Sequence, residues 1–119
     1  MSLTLYGIPN CDTVKKARTW LDDHQIAYTF HDFKKAGLTA EVVRHWLQAV
    51  PWEALVNKKG MTWRNLPDAK KATVVDEASA IALMLESTSV IKRPVLCTRD
   101  AVLLGFAPDL YQQQLKASS

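Results

Sequence analysis

Within its first 32 residues the chain reads as strand, tight turn, helix and strand, and few folds accept that order. Leu3 to Tyr6 is an apolar run cut off by Gly7, Pro9 and Asn10, the pattern of a strand entering a turn. From Cys11 onward Val14, Ala17 and Leu21 recur at helical spacing, while Lys15, Lys16, Asp22 and Asp23 point away. One stripe of this helix therefore faces a sheet and the other faces water. His24 and Gln25 end the helix, and Ile26 to Asp32 then carries Tyr28 and Phe30 at strand period, with Thr29 and His31 between them. A strand, helix and strand within about thirty residues make a βαβ unit. Such a unit closes through a right-handed crossover, with its two strands parallel.

The middle of the chain is helical. Thr39 suits a helix N-cap, with Leu38 and Val43 spaced as a hydrophobic staple. Val43, Trp46, Leu47 and Val50 supply an apolar face that Pro51 closes. Residues 52–56 and 63–66 are short runs broken by Gly60 and Pro67 and read as single helical turns or ordered loop. Residues 76–86 form a further helix, with Ala78, Ile81, Ala82 and Leu85 as its apolar side and acidic residues in the first turn, where they suit the helix dipole. Strand character returns at residues 94–98, turns near Arg99 and Asp100, and runs back through residues 101–104. Pro108 opens a last helix whose apolar residues are Leu110, Tyr111 and Leu115. The expectation is an α/β domain over residues 1–119, βαβ and ββα in one mixed sheet, with a helical insertion at about 38–86.

Composition limits the function classes. Hydrophobic residues at 48% and charged residues at 23% fit a folded domain rather than a disordered chain. No apolar run approaches the ~20 residues of a membrane span. The N-terminus lacks the basic and long apolar segments of a secretory signal, so the expected location is the cytoplasm. In that reducing compartment two cysteines, Cys11 and Cys97, read as thiols rather than as a disulfide framework. The net charge of +3 is spread over separate lysine doublets, which gives no stripe for nucleic acid but is compatible with a small anionic ligand. The chain is taken as a monomer without a membrane or nucleic-acid partner.

Cys11 stands where a strand has ended and a helix begins. Unpaired backbone N–H groups and the positive end of the helix dipole both favour a thiolate there. Lys15, one turn further, adds a cation on the same side, whereas the carboxylate of Asp12 opposes a second anion. Cys11-Asp12-Thr13-Val14 contains no second cysteine, so another thiol must resolve any disulfide that Cys11 forms. Cys97 falls inside a strand and reads as a packing residue. Arg93 immediately precedes Pro94, a proline at the first residue of a strand that is compatible with a cis peptide. Strand order decides whether Arg93 meets Cys11 and offers a planar fork of donors to an anion. Arg64 is a second guanidinium in an ordered segment. His24, His31 and His45 lack the spacing of metal ligands, so no metal site is expected.

The segments 5–13 (LYGIPNCDT), 15–18 (KKAR), 52–55 (WEAL), 62–64 (TWR), 91–94 (IKRP) and 103–106 (LLGF) together resemble the ArsC/Spx/YffB family over nearly the whole length, and the YffB branch most. The resemblance implies a thioredoxin-like fold with a helical insertion, Cys11 as nucleophile, Pro94 as a cis proline facing it, and Arg64 and Arg93 as anion-binding residues. Arsenate reductases of this type carry a histidine in place of Gly7, a serine in place of Val14 and a third arginine near Gly105 and Phe106. Without those donors a compact tetrahedral oxyanion is poorly held. The resemblance therefore implies a glutathione-dependent thiol reductase, with no bound cofactor and with glutathione as co-substrate. Its binding residues would be Asn10, Thr13, Lys15, Arg64, Arg93 and Pro94, and its partner a thiol or disulfide substrate. Arsenate reduction and an Spx-like role in binding RNA polymerase without catalysis are the alternatives.

Overall fold

The computed structural model describes residues 3–98 and 101–118, with the side chains of the last helix as far as Leu115. The turn expected at Arg99 and Asp100 lies outside the described residues. The described chain divides into two units. One is built from residues 1–36 and 93–119, the other from residues 37–92.

The first unit is a four-stranded mixed sheet in the order β2-β1-β3-β4, with β1 Thr4–Gly7, β2 Thr29–Asp32, β3 Val95–Cys97 and β4 Val102–Leu104. Between β1 and β2 runs α1 (Asp12–Asp23), and β1 pairs with β2 in parallel, Thr4 opposite Thr29 and Gly7 opposite Asp32. β3 lies antiparallel to both β1 and β4. The βαβ and ββα halves read from the sequence are thus both present, in a thioredoxin-like arrangement. The strands are shorter than their apolar runs: Ile26 to Tyr28 lead into β2 without joining it. Register explains which residues are buried. Leu5, Leu96 and Leu103 point to one sheet face, where Ala17 and Leu21 of α1 and Tyr111 and Leu115 of α7 (Pro108–Ser118) cover them. Fully buried leucines of this kind each contribute about 1.5–3 kcal/mol. The phenol of Tyr111 donates to the Gly105 carbonyl at 3.2 Å, and burial pushes its ionisation far up.

The second unit carries α2 (Ala40–Leu47), the short helices α3 (Trp52–Leu55), α4 (Met61–Arg64) and α5 (Asp68–Ala72), and then α6 (Glu77–Glu86) and a 3₁₀ turn, Thr88–Val90. Thr39 caps α2 by accepting from the Val42 N–H at 3.3 Å. The α5 helix was not evident in the sequence, because a five-residue turn of Asp, Ala and Lys shows no apolar period. Asp76 caps α6: its carboxylate accepts from the Ser79 hydroxyl at 2.7 Å and the Ser79 N–H at 2.9 Å. The side-chain bond first and the backbone bond second hold the Asp76 carboxyl below its ordinary range. The expected apolar side of α6 is corrected by the structure. Ala80, Leu83 and Met84 are buried, whereas Ala78, Ala82 and Leu85 are exposed and Ile81 is half-buried. Residues 78–85 are apolar at all but Ser79, so periodicity alone did not select the face that packs. A β-bridge, Val56 to Ile91, ties the short helices to the end of this unit, with Asn57 N–H donating to the Val90 carbonyl at 2.7 Å. No helix among the described residues is long and apolar enough to cross a membrane.

Candidate active site

Gly7 ends β1, three residues form a turn, and Cys11 becomes the N-cap of α1 with extended backbone angles (φ −141, ψ 124). Its carbonyl accepts the first helical bond, from the Lys15 N–H at 2.9 Å. The N–H groups of Asp12, Thr13 and Val14 in that first turn have no intrahelical acceptor by construction, and a cap residue is the group they surround. Neither cysteine is in a disulfide; Cys11 is half-buried, and Cys97 is buried in β3. Asn10, Asp12 and Lys15 are exposed, and Thr13 is half-buried.

Strand order decides the placement of Arg93 and Pro94. β3 lies beside β1 with Val95 opposite Tyr6, so Pro94, one step further, comes level with Gly7 at the sheet end from which the Cys11 turn departs. The Arg93–Pro94 peptide is cis. The Gly105 N–H donates to the Pro94 carbonyl at 2.9 Å and the Phe33 N–H to the Gly7 carbonyl at 3.1 Å, which ties four segments together at this end. Arg93 is half-buried there. Arg64 belongs to the other unit: it ends α4, is exposed, and its carbonyl accepts from Lys71 Nζ at 3.2 Å. In the same unit the Lys58 ammonium lies 5.5 Å from the Trp52 ring centroid and 5.4 Å from that of Trp63, the residue before Arg64. No cluster of three or more His, Cys, Asp or Glu among the described residues is arranged to hold a metal ion.

Two features escaped the sequence. First, a Cβ placed on Gly7 would come within 2.8 Å of Val14 Cγ2. Val14 is fully buried and stiff at χ1, so it has little room to yield. A glycine in β1 and a β-branched residue in the first turn of α1 therefore fit as a pair, which brings the start of α1 tight against the strand end. A side chain at position 7 and a hydroxyl at position 14 would have to come together. Second, Arg18 is held in place: its Nε donates to the Tyr28 hydroxyl at 3.1 Å and its guanidinium carbon lies 4.2 Å from the Phe30 ring centroid. Its signals in the sequence were its position seven residues beyond Cys11 and its place in the 15–18 segment, KKAR, without any hint of its partners.

The ArsC family model matches residues 6–114. The chain belongs to the ArsC family. A solved YffB protein is 50% identical with a TM-score of 0.89, over 94% of this chain and 97% of that one. The solution structure of an arsenate reductase (ArsC) related protein from Brucella melitensis is 52% identical with a TM-score of 0.75, over 98% of this chain and 96% of that one. The global transcriptional regulator Spx of Streptococcus agalactiae is 29% identical over 110 residues, 90% of this chain and 78% of that protein. The ArsC family thus includes relatives of this chain named for a reductase and for a transcriptional regulator. What Cys11 does must be argued from its own surroundings.

Proposed function

We propose that this ArsC-family protein is a glutathione-dependent thiol–disulfide reductase. The observation that carries the reading is the position of Cys11 as N-cap of α1, at the sheet end it shares with cis-Pro94, with the only other cysteine buried in β3. The Cys11 thiolate attacks the glutathione sulfur of a mixed disulfide GS–S–R. The S–S bond breaks, a Cys11–S–S–glutathione bond forms, and RS⁻ leaves and takes a proton from solvent. A second glutathione thiolate attacks the glutathione sulfur on Cys11, forming oxidised glutathione and returning Cys11 as thiolate. The sum is GS–S–R + GSH → GS–SG + RSH: one glutathione thiol is oxidised and the sulfur of R is reduced to a thiol, so electrons balance. The first-turn N–H groups of α1 stabilise the departing and returning Cys11 anion. Asn10 and Thr13 fix the turn, while Lys15 and Arg93 supply cations for the glutathione carboxylates.

Arsenate is the weaker substrate in this reading, since the Val14 methyl occupies the space that a polar side chain at position 7 would enter, and Val14 itself offers no hydroxyl donor. The regulatory reading draws on the Spx relative and requires no turnover. Turnover of a glutathionylated peptide separates the three. The reductase reading expects steady release of free peptide with glutathione and complete loss in Cys11→Ser. Glutathione-dependent arsenite release without peptide turnover supports the arsenate alternative. Absence of both activities, with RNA polymerase retained on the protein, supports the regulatory one.

A further inference from the structure

We propose that the open pocket beside the second half of α1 is a subsite for the γ-glutamyl end of glutathione, an inference that rests on the thiol-reductase reading above. Lys15, Arg18 and Asp22 follow Cys11 by four, seven and eleven residues. At 3.6 residues per turn they fall within about 40° of one line along the helix, and at 1.5 Å rise Arg18 lies about 10 Å from Cys11. The buried stripe Val14, Ala17 and Leu21 lies roughly a quarter turn away. This line therefore runs along the margin of α1, and at Arg18 it meets β2.

At its far end is a pocket of about 370 Å³ lined by Arg18, Asp22, Ile26, Ala27, Tyr28 and Phe30, at the lower end of the range for small-ligand sites, about 300–1,000 Å³. Arginine and aspartate one turn apart on a helix commonly pair. Here, among the described residues, no ion pair joins Arg18 to Asp22. The guanidinium is instead stacked on Phe30 and anchored through Nε to Tyr28, which fixes its plane and leaves its terminal NH₂ groups for a carboxylate. The Asp22 carboxylate lines the same pocket. A fixed guanidinium, a carboxylate and an apolar wall together complement a group that bears carboxylate and ammonium on one carbon, an α-amino-acid zwitterion.

Glutathione carries such a group at its γ-glutamyl end. Seven bonds separate its sulfur from the glutamyl α-carbon, on the order of 9 Å when extended, and the disulfide to Cys11 adds about 2 Å. That reach matches the axial separation of Cys11 and Arg18. Glutathione held on Cys11 lies along α1, its glutamyl carboxylate on Arg18, its ammonium on Asp22, and Lys15 beside the portion nearer the sulfur.

The test compares the rate at which Cys11 acquires a mixed disulfide from oxidised glutathione with the rate from oxidised cysteinylglycine, which lacks the γ-glutamyl group. The wild type is expected to favour glutathione about tenfold. Arg18→Gln should bring the ratio close to one, and Asp22→Asn, at an exposed position, should lower it about threefold, with the cysteinylglycine rate unchanged in both. A ratio that persists in both variants overturns the subsite. So does a wild type that exchanges with the two disulfides equally, which leaves the thiol-reductase reading standing. A Cys11 that reacts with neither removes that reading and the subsite with it.

Discussion

Helices α1 and α6 each bury one face, yet only α1 revealed that face in the sequence. In α1 the apolar residues occupy one stripe, with lysines and aspartates on the rest, and the three expected residues Val14, Ala17 and Leu21 are the three that are buried. In α6 apolar residues go all the way round, and the face that packs is Ala80, Leu83 and Met84 rather than the expected Ala78, Ile81, Ala82 and Leu85. A one-sided stripe identifies its partner surface, because only one rotation of the helix buries it. A helix apolar on every side is oriented by what it packs against, here α2 with Val43 and Trp46.

Paired truncations on α6 break or sharpen that contrast most strongly. Leu83→Ala removes a fully packed side chain and is expected to cost about 2–5 kcal/mol in denaturant unfolding. Leu85→Ala, at a residue 37% exposed, should stay within about 0.5 kcal/mol. Equal losses at the two positions would mean that the face of α6 is assigned wrongly. On α1 the corresponding test is the contact that packs its first turns against β1. Gly7→Ala alone should cost about 1–3 kcal/mol through overpacking against Val14. Combined with Val14→Ala the loss should fall short of the sum of the single variants by about 1 kcal/mol or more. Strict additivity would show that Gly7 and Val14 do not constrain each other.

The same contrast marks what could be read without coordinates. Features local to the chain were legible: the Cys11 turn, the Thr39 cap, the parallel βαβ unit, and Pro94 at the head of a strand. Cys97 could be recognised as a strand-packing residue from its place inside an apolar run, although all three residues of β3 are buried and none of the alternation expected there is seen. Features that need register between distant segments were not legible. The Gly7–Val14 approach depends on how closely a helix start is drawn to the strand before it. The fixed guanidinium of Arg18 depends on β2 bringing Tyr28 and Phe30 alongside α1. Strand order supplied the missing piece for Pro94, since the sequence gives no reason why β3 rather than β4 should lie next to β1. The α5 turn at residues 68–72 carried no apolar signal at all, and the ends of β2 and β3 were overextended because apolar runs outlast their hydrogen-bonded ladders.

The central claim is that the Cys11 sulfur exchanges with glutathione, and locating the modified residue tests it most directly. The protein is incubated with oxidised glutathione, and the peptides that carry Cys11 and Cys97 are weighed before and after addition of free glutathione. The account predicts glutathione on Cys11 and not on the buried Cys97, and its removal by the free thiol. Glutathione found only on Cys97, no adduct on Cys11, or an adduct on Cys11 that free glutathione leaves in place would contradict it.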